Sequence, residues 1–315
     1  MQKRPKVFIL ILHWQNYDVT RKCLSSLKKI KYPDYEVIVL DNASTNESAK
    51  RLKQEFPEFL FFFNKKNNGY GAGMNPGIEY SLNNGAEYIF LLNNDVIVTS
   101  ENFIEKLVFL MDGKKEIGIC GPRLLFENGK YKRSYRSVFL SLALGFYSSQ
   151  KVVSFFRKVL SLPDKGNISH KVDWLNAVAL FIRADVFRKI GRMDECFFLG
   201  AEDVDLSMRA KKNGWETWYC AESELVHLSF VSHENNDGVG YDKYWVESTI
   251  LFLKKYYPLY LVFIVKFLMF FGLALRGIQW MLLSLFNNTY LKRAKRFFTI
   301  GYLSLVMWPK CTDKI

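Results

Sequence analysis

The chain has little cysteine, and what it has is unorganised. Cys23, Cys120, Cys196, Cys220 and Cys311 are scattered through 315 residues, with no CxxC pair. That spacing argues against a disulfide framework and a structural zinc site, and it fits a reducing compartment. There is no internal repeat and no low-complexity tract, so repeat architectures and biased linkers drop out. There is no acidic excess either: Lys and Arg number 44 against 31 Asp and Glu, a formal net charge of +13. A basic balance suits a polyanionic partner, whether nucleic acid, an anionic membrane surface or a phosphorylated substrate; solubility alone would also account for it. The apolar tail lacks a long uncharged run. Its uncharged pieces, such as residues 267–275, fall short of the about 20 residues a membrane span needs. The early apolar run at residues 7–12 follows a basic lead. It is too short for a signal peptide, has no small-residue cleavage site, and reads as a first strand.

What is present is ordinary core material, 49% apolar, with a high aromatic share of 16%. Over the first 120 residues, short apolar runs alternate with amphipathic segments. The runs "KVFILIL", "YEVIVL", "FLFFF", "YIFLL" and "IGICG" predict strands, and residues 18–27 and 72–83 predict helices between them. Ser44-x-x-Glu47 has the form of a capping box before another helix. This alternation predicts an α/β fold: a mostly parallel central sheet with helices on both faces. Continuous rather than alternating apolar runs are what strands covered on both faces require. Further on, residues 202–213 predict a helix closed by Gly214, and "ETWYC" predicts a strand.

Residues 130–171 break this rhythm. They include "SVFLSLALGFYSSQKVVSFFRKVL", which predicts an amphipathic helical insertion. Arg133 and Arg136 could meet a phosphate there, although solvated surface charge is the simpler account of them. Residues 259–286 are apolar except for Lys266 and Arg276. Lys254 and Lys255 precede them, and Lys292, Arg293, Lys295 and Arg296 follow. That pattern suits an interfacial helix on an anionic leaflet. A transmembrane hairpin and a helix buried against the main domain are the alternatives. The expected organisation is a main domain over residues 1–245, with 130–171 as a variable insertion, and a helical extension over 246–315.

Ligands of such sheets bind at the carboxyl ends of the strands. Polar clusters follow several strands here: residues 13–16, Asp41-Asn42, residues 64–68 and Asn93-Asn94-Asp95. Each alone has the composition of a turn; their shared position suggests one cleft. Asp95 at a strand end is a natural ligand for a hard divalent cation, which takes one or two carboxylates plus substrate phosphate and water. Glu202, Asp203 and Asp205 crowd a predicted helix start. Macrodipole stabilisation accounts for one or two such acids. The pair Glu202-Asp203, behind an apolar "FFL", suits a general base. His227 stands among apolar residues 24 positions after Asp203, as either a structural histidine or a ligand. Gly69, Gly71 and Gly73 precede or open a helix, where they permit close backbone approach or a tight turn.

In this order the pieces resemble glycosyltransferase family 2, and within it the rhamnosyltransferase-like branch of bacterial polysaccharide enzymes. The resemblance rests on "YPDYEVIVLDNASTNES", "NNGYGAGMNPG", "YIFLLNNDVIV", "GPRL", "DWLNAVALFIRADVFRKIGRMDECFFLGAEDVDLSMRAKKNGW" and "LVHLSF". It implies a GT-A fold, a nucleotide-diphosphate sugar donor and inversion at the anomeric carbon. By resemblance, Asp41 and Asn42 contact the donor's base or ribose, with Asn68 and Gly69 also at the donor. Asn93-Asn94-Asp95 occupies the DxD position, so Asp95 binds the diphosphate and a divalent metal, Mg²⁺ or Mn²⁺. Asp203 matches the catalytic base, Glu202 a possible acceptor contact and His227 a late metal ligand. Asn93 replaces the first acid of DxD, as in many members of the branch. The implied acceptor is a glycan or lipid-linked saccharide, with a membrane surface as partner and no nucleic acid. The implied location is the cytoplasmic face of the cell membrane, peripheral or monotopic. A nucleotidyltransferase would carry a Gly-rich basic signature after the first strand, where this chain has "HWQNYD". An inactive scaffold has no need of Asp95, Asp203 and His227 together.

Overall fold

The computed structural model describes residues 4–136, 166–228 and 239–311. The helical insertion expected around 130–171 falls largely on 137–165, outside the described residues. The described chain divides into two compact units, one of residues 4–136, 166–195 and 202–228, the other of 196–201 and 239–311.

The first unit opens β1 (Val7–His13), α1 (Tyr17–Leu27), β2 (Tyr35–Asp41), α2 (Ser48–Glu55), β3 (Leu60–Phe63) and α3 (Tyr70–Asn83). It continues β4 (Tyr88–Asn93), β5 (Val96–Val98), α4 (Phe103–Gly113), β6 (Ile117–Leu125), β7 (Tyr131–Lys132) and β8 (Tyr135–Arg136). After the insertion come β9 (His170–Val172), β10 (Trp174–Leu175), β11 (Ala179–Arg183), α5 (Ala184–Ile190), α6 (Glu202–Lys212) and β12 (Glu216–His227). The main sheet runs β3-β2-β1-β4-β11-β6-β12-β5, with β7 on β6 and β9 on β12.

Strand β1 lies parallel between β2 and β4, with Ile9 opposite Val37 and Phe90. Its odd residues, Val7, Ile9 and Ile11, bury against Leu24 and Leu27 of α1 and Leu107 and Met111 of α4. Its even residues, Phe8 and Leu10, join Met74 and Ile78 of α3, Phe187 of α5 and Leu206 of α6 on the other face. Each such side chain contributes about 1.5–3 kcal/mol on burial, which is why both phases of the strand are apolar. The sheet is mixed, because β11 runs antiparallel to both β4 and β6. An apolar run reads the same in either direction, so the sequence carried no sign of that reversal. The capping box does not form. Helix α2 starts at Ser48 without a side-chain cap, and Ser44 Oγ bonds Asp41 Oδ1 at 2.5 Å instead.

The second unit holds α7 (Val239–Tyr256), α8 (Leu259–Ser284) and α9 (Thr289–Val306). Pro258 separates the first two helices, as the missing N–H and fixed φ of proline favour. Val246, Ile250 and Leu253 pack with Val262, Val265, Met269, Leu273 and Ile300. Lys266 is buried, and its Nζ donates to Met307 O at 2.7 Å. Arg296 forms a bidentate pair with Asp242. On the other face of α8, Tyr260, Phe263, Ile264, Phe267, Phe271, Leu275 and Leu282 are exposed at helical spacing. One expectation is corrected here: Cys196 and Cys311, 115 residues apart, form a disulfide, while Cys23, Cys120 and Cys220 are buried thiols. Pairing depends on bringing two α-carbons within about 7 Å. Only the fold supplies that proximity.

Candidate active site

The carboxyl ends of β1 and β2 are knit by polar side chains. His13 turns inward, with Nδ1 2.8 Å from Thr20 Oγ1 and Nε2 2.8 Å from Ser48 Oγ. Burial pulls its imidazole down to about 4, against the opposing charge of Asp41. It is thus a structural histidine that ties β1 to α1 and α2. Asp41 accepts from the amide and hydroxyl of Ser44, in a turn where Ala43 takes φ 59°. Asn42 Nδ2 donates to Asn67 Oδ1 at 2.9 Å and to Gly69 O at 3.3 Å. Gly69 takes φ 96° as α3 begins, a backbone state that side chains disfavour. Gly73 serves packing: a Cβ there would meet Leu12 Cδ1 at 2.7 Å and Asn42 Oδ1 at 3.0 Å. So Asp41, Asn42, Gly69 and the adjoining Asn68 share one rim, and the glycines let α3 lie close on the sheet.

The turn between β4 and β5 carries Asn94 and Asp95. Asn94 Nδ2 donates to Thr20 Oγ1 at 2.8 Å, anchoring the turn to α1. Strand β5 pairs antiparallel with the end of β12, with Val96 opposite His227. That register sets His227 beside Asp95, 132 residues earlier, with Nε2 3.0 Å from Asp95 Oδ2. Both side chains are nearly buried. On the far side of the ring, Lys132 Nζ lies 2.5 Å from His227 Nδ1. Burial lowers the Lys132 ammonium below the ordinary lysine value, and the charge of Asp95 opposes that shift.

The acids of α6 have separate fates. Asp205 is fully buried and paired with Arg209 at 2.7 Å. Glu202 is buried, whereas Asp203 is half-buried. Asp203 Oδ2 accepts from Ala177 N at 2.9 Å and Oδ1 from Val204 N at 2.8 Å, so two backbone donors orient the carboxylate. The 176–178 loop carries this order onward: Val178 O accepts from Asn93 N at 2.9 Å, and Ala177 O accepts from Tyr70 Oη at 3.1 Å. Burial, then the charges of Glu202, Asp203 and Asp95, push the Tyr70 phenol well above its ordinary value. Through its bonds to Asn93, Tyr70 and Asp203, the 176–178 loop joins the end of β4 to the start of α6. Tyr70, Lys132 and the 176–178 loop were not singled out in the sequence. The phenol sits inside the glycine motif "NNGYGAG", the one available hint.

The residues present suit a hard divalent cation. Asp95 Oδ1 is buried without a hydrogen-bond partner among the described residues. Ligands at about 2.1 Å on adjacent octahedral positions stand about 3 Å apart, and Asp95 Oδ2 and His227 Nε2 are 3.0 Å apart. Among the described residues no group of three or more His, Cys, Asp or Glu is gathered as a cage.

The profile of the family described as "Glycosyl transferase family 2" matches residues 8–177. The chain is 26% identical over 247 residues to the O-antigen biosynthesis protein RfbC of Myxococcus xanthus, covering 77% of this chain and 19% of that one. It is 25% identical over 218 residues to the N-acetylglucosaminyl-diphospho-decaprenol L-rhamnosyltransferase of Mycobacterium tuberculosis, covering 65% of this chain and 70% of that one. It is 23% identical to the rhamnosyltransferase WbbL of Escherichia coli, covering 79% and 93%. The chain thus spans about a fifth of RfbC, and 66% of the hexosyltransferase Agl10 of Haloferax volcanii. Among solved structures, the mannosyltransferase PcManGT from Pyrobaculum calidifontis, with GDP-Man and Mn²⁺, superposes with TM-score 0.57 at 12% identity over 96% of this chain and 86% of that one. GalNAc-T7, with UDP, GalNAc and Mn²⁺, gives TM-score 0.58 at 14% identity, covering 79% and 48%. With β1 to β4 and the Asp95 turn inside the matched region, this α/β chain has the GT-A fold and belongs to glycosyl transferase family 2.

Proposed function

We propose that the chain is an inverting glycosyltransferase of cell-surface polysaccharide assembly. It moves a sugar, a hexose or rhamnose, from a nucleotide-diphosphate donor to a hydroxyl of a glycan or lipid-linked saccharide. The observation that carries this reading is the 176–178 loop, which bonds Asn93 through Val178 O at 2.9 Å, Asp203 through Ala177 N at 2.9 Å and Tyr70 through Ala177 O at 3.1 Å. In this reading Asp95 is the diphosphate-binding carboxylate and Asp203 the half-buried base of one cleft. The rim of Asp41, Asn42, Asn68 and Gly69 then faces the nucleoside.

In this reading Asp203 takes the proton of the acceptor hydroxyl, as an oriented carboxylate with partial access to the cleft can do. The acceptor oxygen bonds the anomeric carbon from the side opposite the diphosphate, whose C–O bond breaks with its electron pair. Glu202, next in the chain, would hold the acceptor. Asp95 and His227 would hold Mg²⁺ or Mn²⁺, with Asn93 and Asn94 beside the diphosphate. A bound cation there supplies Lewis-acid neutralisation of the leaving group. In this reading residues 1–245 hold the catalytic domain and 246–315 the extension, a boundary that falls inside α7, whereas the second unit begins before that helix.

A titration of UDP, dTDP and GDP, each with and without Mn²⁺, tests the reading by calorimetry. At least one nucleotide should bind, more tightly with Mn²⁺. No binding under any condition would sink it.

The extension fits the cytoplasmic face of a membrane, as a peripheral or monotopic element. Helix α8 is long and apolar enough to cross a membrane by length and composition alone. Its exposed stripe of large apolar residues, followed by Lys292, Arg293 and Lys295, suits a helix lying in an anionic interface. The full chain should sediment with vesicles containing phosphatidylglycerol more than with pure phosphatidylcholine vesicles. Equal sedimentation with both, or with neither, refutes the anionic-interface reading.

A further inference from the structure

One cation at the Asp95 cluster has no place in the family reading. Lys132 lies on β7, the return strand of a hairpin in which Phe126 N donates to Lys130 O at 2.8 Å and Gly129 takes φ 74°. In register, Lys132 stands opposite Leu124, and Leu124 opposite Leu225. Paired residues share a face, and so do residues two apart along a strand. Lys132 and His227 therefore project to the same side of the sheet, and Lys132 Nζ reaches His227 Nδ1 at 2.5 Å.

A lysine ammonium only donates, so Nδ1 must present its lone pair to Lys132. The ring proton then sits on Nε2 and is donated to Asp95 Oδ2, 3.0 Å away. In this tautomer Nε2 has no lone pair for a metal. A ligating Nε2 would leave the proton on Nδ1, which then cannot accept from an ammonium. Lys132 on one ring nitrogen and a metal on the other are therefore alternatives.

We propose that Lys132 is a diphosphate-binding residue, resting on His227 in the donor-free protein and turning its ammonium to the donor's diphosphate when His227 is called on as a ligand. This rests on the reading above that the diphosphate lies at Asp95. Charge balance supports it. With Asn93 neutral, the carboxylate of Asp95 and the ammonium of Lys132 cancel, so the cluster shows a diphosphate no net negative charge even without a metal. The stem of Lys132 leaves its Nζ 5.3 Å from the Phe126 ring centre, a partner that does not fix the ammonium in one direction.

The test is equilibrium binding on the full chain. UDP, dTDP and GDP are titrated with and without Mn²⁺, and Mn²⁺ alone is titrated by the electron paramagnetic resonance of the free ion. Charge-assisted hydrogen bonds of this kind are worth about tenfold or more in affinity. Lys132→Met should weaken the nucleotide that the wild type binds by that factor, with and without Mn²⁺. It should bind Mn²⁺ alone at least as tightly as the wild type. Lys132→Arg, which keeps the charge, should retain most of the nucleotide affinity. Unchanged nucleotide binding in Lys132→Met overturns the proposal. So does a joint loss of Mn²⁺ and nucleotide in both variants, which would make Lys132 a mere support for His227. A wild type that binds none of the three nucleotides overturns the donor-site reading itself, and this inference with it.

Discussion

Asp95→Ala is expected to abolish the Mn²⁺ dependence of nucleoside diphosphate binding and to lower kcat/KM for transfer by about 10³-fold or more. The size follows from what the residue is asked to do. A cation on the leaving diphosphate supplies several kcal/mol of charge stabilisation, and about 4 kcal/mol is a factor of about 10³. Asn93 carries no charge, so no second carboxylate in the turn can take over. His227 would remain, but a lone imidazole is a weak site for a hard cation. The fold should survive the change. Asp95 Oδ1 has no hydrogen-bond partner among the described residues, and the turn keeps its backbone bond from Leu228 N to Asp95 O at 2.9 Å. Binding titrations with and without Mn²⁺, run beside steady-state transfer, measure both effects. If Asp95→Ala binds nucleotide with undiminished Mn²⁺ dependence, the cation is held elsewhere.

Asp203→Asn should lower transfer by about 10²- to 10⁴-fold, the usual range for a lost general base, with donor affinity close to wild type. The amide also disturbs an anchor. The carboxylate accepts from Ala177 N and Val204 N on different oxygens, whereas an amide has only one acceptor oxygen. A modest loss of stability follows from the one lost charge-assisted bond, readable as a small drop in unfolding temperature. The rate loss far exceeds that, so the two roles separate. Transfer at the wild-type rate would remove Asp203 as the base and leave it as the pillar of the 176–178 loop. Glu202→Gln is the useful companion. A buried acceptor contact should raise KM more than it lowers kcat.

The strands and the ends of the strands were readable in the sequence because burial imposes a pattern. Both phases of β1 are apolar, since helices cover both faces, and the run breaks where the strand meets the cleft. The Asn93-Asn94-Asp95 break was therefore visible as a strand end. Its partner was not, because Val96 opposite His227 is a pairing of residues 131 positions apart. No local pattern encodes a long-range register. His13 shows the opposite failure. It looked like part of a polar rim, yet two hydroxyls 7 and 35 residues away draw it inward. Ser44 likewise had two possible partners, and the carboxylate of Asp41 won it from the helix start. Lys132 stood in a stretch whose pattern was weak, so nothing marked it until the hairpin folded it onto β6.

The sequence by itself determined the layered α/β order, the family motifs and the chemistry available: one carboxylate at a strand end, acids at a helix start, a late histidine and an apolar tail flanked by lysines and arginines. Those are matters of composition and short-range periodicity, which local physics fixes. The tertiary structure decided which of these groups meet. It joined His227 to Asp95 and Lys132 to His227, and separated the three acids of α6 into a buried ion pair, a buried acid and a half-buried carboxylate. It also turned β11 against its neighbours and closed Cys196 on Cys311. Each of these depends on contacts between distant residues, whose free energy belongs to the packed fold and to no single stretch of chain.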